Sequence, residues 1–164
     1  MIKCIIIDDE KKDRENLRML LESYCPQVEI IGEAEDKTSI VKLLSTLEPD
    51  VVFSDIQLGT TSVFEVFNTL EHINFKIVFV TAFDKYAIQG YQYDAIDYLL
   101  KPVSPNVVTK AVDKAINFIG SSQINIKLEE LKKSLASTNF SKIGLPFSDG
   151  IKFVDFKDII VLEA

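Results

Sequence analysis

Five short apolar runs, each followed by a stretch of helical periodicity, limit what this chain can fold into more than any other feature. The runs are Lys3–Ile7, Val28–Gly32, Val51–Asp55, Phe75–Val80 and Ile96–Leu100. Apolar segments of this length, bounded by turn residues, read as strands buried on both faces. Between and after them lie the helical stretches Lys11–Tyr24, Asp36–Leu47, Ser62 to about Leu70, Lys85–Tyr91 and Pro105 to about Phe118. In the first, Leu17, Leu20, Leu21 and Tyr24 share a helical face, and Pro26 lies beyond its end. In the second, Ile40, Val41, Leu43, Leu44 and Leu47 form the apolar stripe. Ser62 is a helix cap with Glu65 three residues on, as in a capping box, and Ser104-Pro105 opens the last helix. Strands alternating with helices imply an α/β fold: a doubly wound, five-stranded parallel sheet with five helices, joined by right-handed crossovers.

In a parallel sheet every strand ends on the same edge, and open α/β folds bind ligands there. Asp8 and Asp9, Asp55, Thr81 and Lys101 each follow or close a different strand, so the topology can bring them together. Taken alone, each has a bland role. A strand-end Asp is a cap or turn residue, paired acids complement a helix dipole, and a Thr or a Lys-Pro at a strand end is commonplace. Their joint occurrence, in order, favours a site. Three carboxylates held close repel one another and need a cation. Carboxylates with waters and a carbonyl make the oxygen set of Mg²⁺. Thr81 can donate a hydroxyl hydrogen bond and Lys101 a mobile ammonium, which suits phosphate. Such a set is equipped for phosphoryl transfer to a carboxylate.

Composition sets outer limits. With 18 basic and 25 acidic residues the chain carries −7, all of it before residue 121, which opposes binding to nucleic acid or anionic membrane by charge alone. Cys4 and Cys25 have no metal spacing, and Cys4 reads as a small buried hydrophobe. No signal peptide is apparent and no run approaches the ~18 apolar residues of a membrane span, so a cytoplasmic location is expected.

After Gly120 the pattern changes. Ser121-Ser122 reads as a joint, and Ile124, Leu128, Leu131 and Leu135 form the seam of a short helix, either a dimerising element or a spacer. A second joint spans 137–139. From Lys142, alternating Ile143, Leu145 and Phe147, a Ser148-Asp149-Gly150 turn, and then Ile151 and Phe153 read as a hairpin, with a last apolar run at Ile159–Leu162. The expected organisation is a domain over 1–120, a helical linker over 121–139, and a fragment of a β-rich domain over 140–164.

The motifs Ile-Ile-Ile-Asp-Asp-Glu at 5–10, Val-Val-Phe-Ser-Asp-Ile at 51–56, Phe-Val-Thr-Ala at 79–82 and Asp-Tyr-Leu-Leu-Lys-Pro at 97–102 resemble the receiver domain of two-component response regulators, a flavodoxin-like fold. The resemblance implies that Asp55 accepts a phosphoryl group from a sensor histidine kinase. It implies that Asp9, Asp55 and the Gln57 backbone carbonyl ligate Mg²⁺, with Asp8 acting through water. Thr81, the Ala82 amide and Lys101 would bind phosphate oxygens, and the Lys101–Pro102 peptide would be cis. Thr81 and Tyr98 would form a switch, altering the surface of the 85–91 helix, the 96–100 strand and the 105–118 helix to promote a homodimer. The sequence departs from the family's pattern at Ile56-Gln57-Leu58-Gly59, where a proline is common.

The segment from Lys142 resembles the opening of a LytTR-type DNA-binding domain. This implies a transcription regulator that contacts DNA only through its full-length effector, not through this stretch. Two other readings fit parts of the pattern. A haloacid-dehalogenase-like Mg²⁺ phosphatase also uses a strand-end Asp but needs a second Asp two residues on, where Gln57 stands. A phosphate-independent dimerisation module would keep the fold and not the chemistry. The receiver reading makes the chain a phosphoacceptor with slow self-dephosphorylation rather than a turnover enzyme.

Overall fold

The computed structural model describes residues 1–82, 93 and 95–120, and the backbone of 142–147 and 150–155. In chain order the elements are β1 (Ile2–Ile7), α1 (Lys11–Tyr24), β2 (Val28–Ala34), α2 (Lys37–Thr46), β3 (Val51–Ser54), β4 (Gln57–Leu58), β5 (Thr61–Ser62), α3 (Val63–Phe67), β6 (Lys76–Thr81) and β7 (Asp97–Leu100). A helix over 105–120, here α4, follows β7. The chain falls into two compact units, Met1–Gly120 and Ser121–Ala164.

Strands β2-β1-β3-β6-β7 form one parallel sheet in that order. After β1 the chain steps outward to β2 and then returns to lay β3 on the other side of β1. The reversal lies between β1 and β3, the position where open sheets of this order leave a crevice at their carboxyl edge.

Strand residues alternate between two apolar layers, as the two-residue side-chain period requires. Cys4, Ile6, Val51, Phe53, Val78 and Val80 share one core cluster with Leu17, Leu20 and Leu21 of α1 and Val108, Ala111 and Val112 of α4. Ile5, Ile7, Val52, Ile77 and Phe79 share the other with Ile40 of α2 and Val63, Phe64, Val66 and Phe67 of α3. Cys4 is fully buried in the first layer, and that burial pushes its thiol up to about 12.

The elements follow the sequence reading with local differences. Tyr24 is 53% exposed. The α1 stripe instead extends backwards to Arg14, which is buried. In α2 only Ile40 is fully buried, with Leu43, Leu44 and Leu47 partly buried and Val41 at the surface. Ser62 caps α3, but its hydroxyl accepts from the Phe64 amide, one residue short of the capping-box position. The reciprocal box belongs to α2, where Asp36 accepts from the Ser39 amide and Ser39 Oγ receives the Asp36 amide. The 57–60 turn is a narrow antiparallel ladder, Gln57 opposite Ser62 and Leu58 opposite Thr61.

In the second unit, β8 (Lys142–Phe147) and β9 (Gly150–Asp155) pair antiparallel, with Phe147 opposite Gly150. The expected helices at 85–91 and 124–135 and the run at 159–162 lie outside the described residues. No helix among the described residues is long and apolar enough to cross a membrane.

Phe53 sits with no exposure on a strand flanked on both sides. Phe53→Ala is expected to cost about 3–5 kcal/mol. It should appear in urea unfolding as a lower midpoint with an unchanged slope.

Candidate functional site

The backbone brings the acids together before any side chain acts. Ile7 of β1 lies opposite Ser54 of β3, so the residues that follow, Asp8 and Asp55, leave the sheet side by side. The Asp55 amide donates to the Ile7 carbonyl at 2.8 Å and the Asp8 amide to Ala34 at 3.1 Å, carrying the pairing one residue past the strands. Asp8 and Asp55 are buried, 4% and 7% exposed, while Asp9 faces solvent.

Each carboxylate is oriented by amides of its own turn. Asp8 Oδ1 accepts from the Glu10 amide at 2.9 Å. Asp55 Oδ1 accepts from the amides of Ile56 at 2.6 Å and Gln57 at 3.2 Å. Asp9 Oδ2 accepts from the Gly59 amide at 2.9 Å, which ties the β1–α1 turn to the β4–β5 turn. Gly59 holds φ +61°, a conformation that a residue with a Cβ adopts only under strain. Asp8, Asp9 and Asp55 can each offer one oxygen with all three within 4.8 Å of one another, a hard-oxygen set that suits a divalent cation.

Lys101 arrives from the far side of the sheet. Its amide donates to the Thr81 carbonyl at 2.9 Å, extending the β6–β7 pairing, and its peptide bond to Pro102 is cis. Its ammonium reaches Asp8 Oδ2 at 2.7 Å, Asp55 Oδ2 at 2.8 Å and Asp13 Oδ2 at 2.7 Å. Burial alone would lower the Lys101 pKa, but its bonds to Asp13, Asp55 and Asp8 outweigh that and raise it. Burial pushes the Asp8 carboxyl above its ordinary range, against the lowering pull of Lys101 and the Glu10 amide. The cation is therefore held charged by its carboxylate partners, while burial leaves the Asp8 carboxyl reluctant to ionise.

Thr81 is fully buried at the end of β6, and Ala82 beside it is exposed. A cavity of about 270 Å³ lies next to them, lined in part by Asp8, Asp13, Ala82, Lys101 and Pro102. Tyr98 stands half-buried on β7, its ring 6.3 Å from that of Phe79. A larger hollow of about 870 Å³ is lined by Lys3, Asp50, His72 and Phe75, near the amino ends of the strands and away from Asp8, Asp9 and Asp55.

Two residues of the site escaped the sequence reading. Asp13 is the third carboxylate on Lys101, although it lies in the first turn of α1. Arg14 is 8% exposed, donating to the Asp8 carbonyl at 2.6 Å and to Glu35 at 2.8 Å. The available signal for Arg14 was a charge three residues before Leu17 and seven before Leu21, on the apolar stripe. Nothing in the local sequence marks Asp13, since an acid in a first helical turn is ordinary.

The family model for the response regulator receiver domain matches residues 4–113. Sensory transduction protein LytT of Bacillus anthracis is 37% identical over 162 residues, covering 98% of this chain and 65% of the relative. Transcriptional regulatory protein BtsR of Salmonella typhi is 37% identical over 158 residues, covering 94% and 65%. The chain thus spans 65% of the length of these curated relatives. Among solved structures, the response regulatory domain of protein mrkE from Klebsiella pneumoniae superposes with a TM-score of 0.66 at 26% identity, covering 73% of this chain and 99% of that one. With its sheet order, its edge of acids and a receiver model matched over most of its length, the chain belongs to the response regulator receiver family of two-component systems.

Proposed function

We propose that this chain is the phosphoacceptor part of a two-component transcription regulator, and that Asp55 takes a phosphoryl group from the phosphohistidine of a sensor histidine kinase. The observation that carries the reading is the Asp55 carboxylate, buried at the sheet's reversal point and bonded to Lys101 at 2.8 Å beside two further acids. In the transfer, an Asp55 oxygen forms a bond to phosphorus as the bond from phosphorus to the histidine nitrogen breaks. The nitrogen leaves with the electron pair, and the product is an acyl phosphate. Lys101 pairs with phosphoryl oxygens, and Thr81 and the Ala82 amide supply the other donors.

Asp9 and Asp55 would hold Mg²⁺ with the Gln57 carbonyl, Asp8 acting through water. Mg²⁺ bound there supplies the positive charge that a phosphoryl group needs to approach an acidic pocket. The ladder favours the role given to Gln57. The Val63 amide bonds the Ile56 carbonyl at 2.8 Å, so alternation makes Gln57–Ser62 a pair that exchanges no ladder bonds.

Phosphorylation would draw Thr81 towards the phosphate, let Tyr98 turn inward and alter the surface of residues 85–91, β7 and α4, favouring a homodimer. Residues 121–139 would be a helical linker, and 140–164, with its hairpin, the opening of a LytTR-type domain that binds DNA when whole. The names sensory transduction protein and transcriptional regulatory protein among the relatives support this reading. In this role the protein works in the cytoplasm and accepts a phosphoryl group instead of turning over a substrate.

Incubation with acetyl phosphate and Mg²⁺ is expected to add one phosphoryl group by intact mass, and Asp55→Asn to add none. Continuous release of phosphate from esters, or labelling that survives Asp55→Asn, would refute the reading. Mg²⁺ at a hundredfold its dissociation constant is expected to stabilise the fold by about 2.7 kcal/mol. A thermal scan should show most of that gain missing in Asp9→Asn. Lys101→Ala leaves Asp8 and Asp55 facing each other without their cation, and should destabilise the metal-free protein by about 3 kcal/mol in urea. Mg²⁺ should recover part of that loss.

A further inference from the structure

An ammonium has three N–H donors. In this fold Lys101 has three carboxylate partners, Asp8 at 2.7 Å, Asp13 at 2.7 Å and Asp55 at 2.8 Å. Two of these belong to the buried acid edge, with side chains only 6% and 9% exposed. Asp13 differs in both place and burial. It comes from the first turn of α1, its side chain is 33% exposed, and it lies outside the trio able to share a metal.

Phosphorylation treats the three bonds differently. The bond to Asp55 passes to a phosphoryl oxygen on the same side chain. The bond to Asp8 weakens if a cation draws on that carboxylate. The bond to Asp13 has no reason to break. Lys101 then divides its single charge between Asp13 and a phosphoryl group that brings more negative charge than the carboxylate it replaced. Asp13 also keeps its own negative charge one ammonium away from that group, which opposes an incoming anion. The cavity lined by Asp13, Ala82, Lys101 and Pro102 opens beside the Lys101 side chain, on the side where Asp13 holds it.

We infer that Asp13 is a positioning residue that holds Lys101 in a resting arrangement and weakens the site's hold on a phosphoryl group. The inference rests on Asp55 being the phosphoacceptor. It makes Asp13 a regulator of how readily that group is gained and how long it is kept.

The test uses the whole chain with Mg²⁺ and compares wild type with Asp13→Asn, Asp13→Glu and Asp55→Asn. The readouts are beryllofluoride affinity by titration calorimetry and the acetyl phosphate labelling rate by mass. Asp13→Asn is expected to tighten beryllofluoride binding and speed labelling by about three- to tenfold. The same variant should melt no higher than wild type without the mimic, because it has lost an ion pair. Asp13→Glu, which restores the charge, should return both readouts towards wild type. A residue that only supported the fold would lower stability and anion affinity together. Unchanged or weaker beryllofluoride binding in Asp13→Asn, with wild type labelling normally, overturns the inference and leaves the phosphoacceptor reading intact. If wild type neither labels nor binds the mimic, behaving as Asp55→Asn does, the phosphoacceptor reading fails and this inference with it.

Discussion

The structure around the acid edge depends on one ammonium. The return of the chain from β2 to the other side of β1 sets Asp8 and Asp55 side by side, almost out of water, where two negative charges cannot rest unopposed. Lys101 is carried to them by the last strand of the sheet, the farthest from β2. The position of that strand is therefore joined electrostatically to the crossing point of the first and third. A parallel sheet gives the five strand ends a common edge, and the ammonium gives that edge a shared centre.

Division of the strands into two apolar layers explains why the edge can be held so closely. Ile6 and Phe53 point to the side of α1 and α4, and Ile7 and Val52 to the side of α2 and α3. A one-residue slip of β3 against β1 would send every side chain to the wrong layer, so the register is fixed along the whole strand. Asp8 and Asp55 inherit that fixed register. The precision of the site is thus set by aliphatic packing several residues away from it.

Much of this was legible in the sequence because it depends on period and topology. Buried strands show as apolar runs, and their ends must share an edge, so Asp8, Asp9, Asp55, Thr81 and Lys101 could be placed together from spacing alone. What escaped depends on angles that spacing does not encode. Whether Asp13 reaches Lys101 follows from how α1 leaves β1 and how far it is rotated. The same rotation turns Tyr24 outward and brings Arg14 into the buried stripe. Gln57 read as part of a turn because a ladder of two residues per strand is too short to show a period. The four-residue spacings of α2 showed its stripe, yet only Ile40 is covered completely. That helix lies against β2, the last strand on its side of the sheet.

Arg14 carries a consequence beyond its own contacts. Its guanidinium bonds the Asp8 carbonyl and the Glu35 carboxylate, and Glu35 lies just before the Asp36–Ser39 cap that starts α2. The backbone of the acidic turn is in this way fastened to the loop that follows β2, the edge strand whose Ala34 carbonyl already accepts from the Asp8 amide. Sequence drift in that loop is then not free of the chemistry. A change of charge at Glu35 acts through Arg14 on the Asp8 carbonyl, in the peptide from which Asp9 projects.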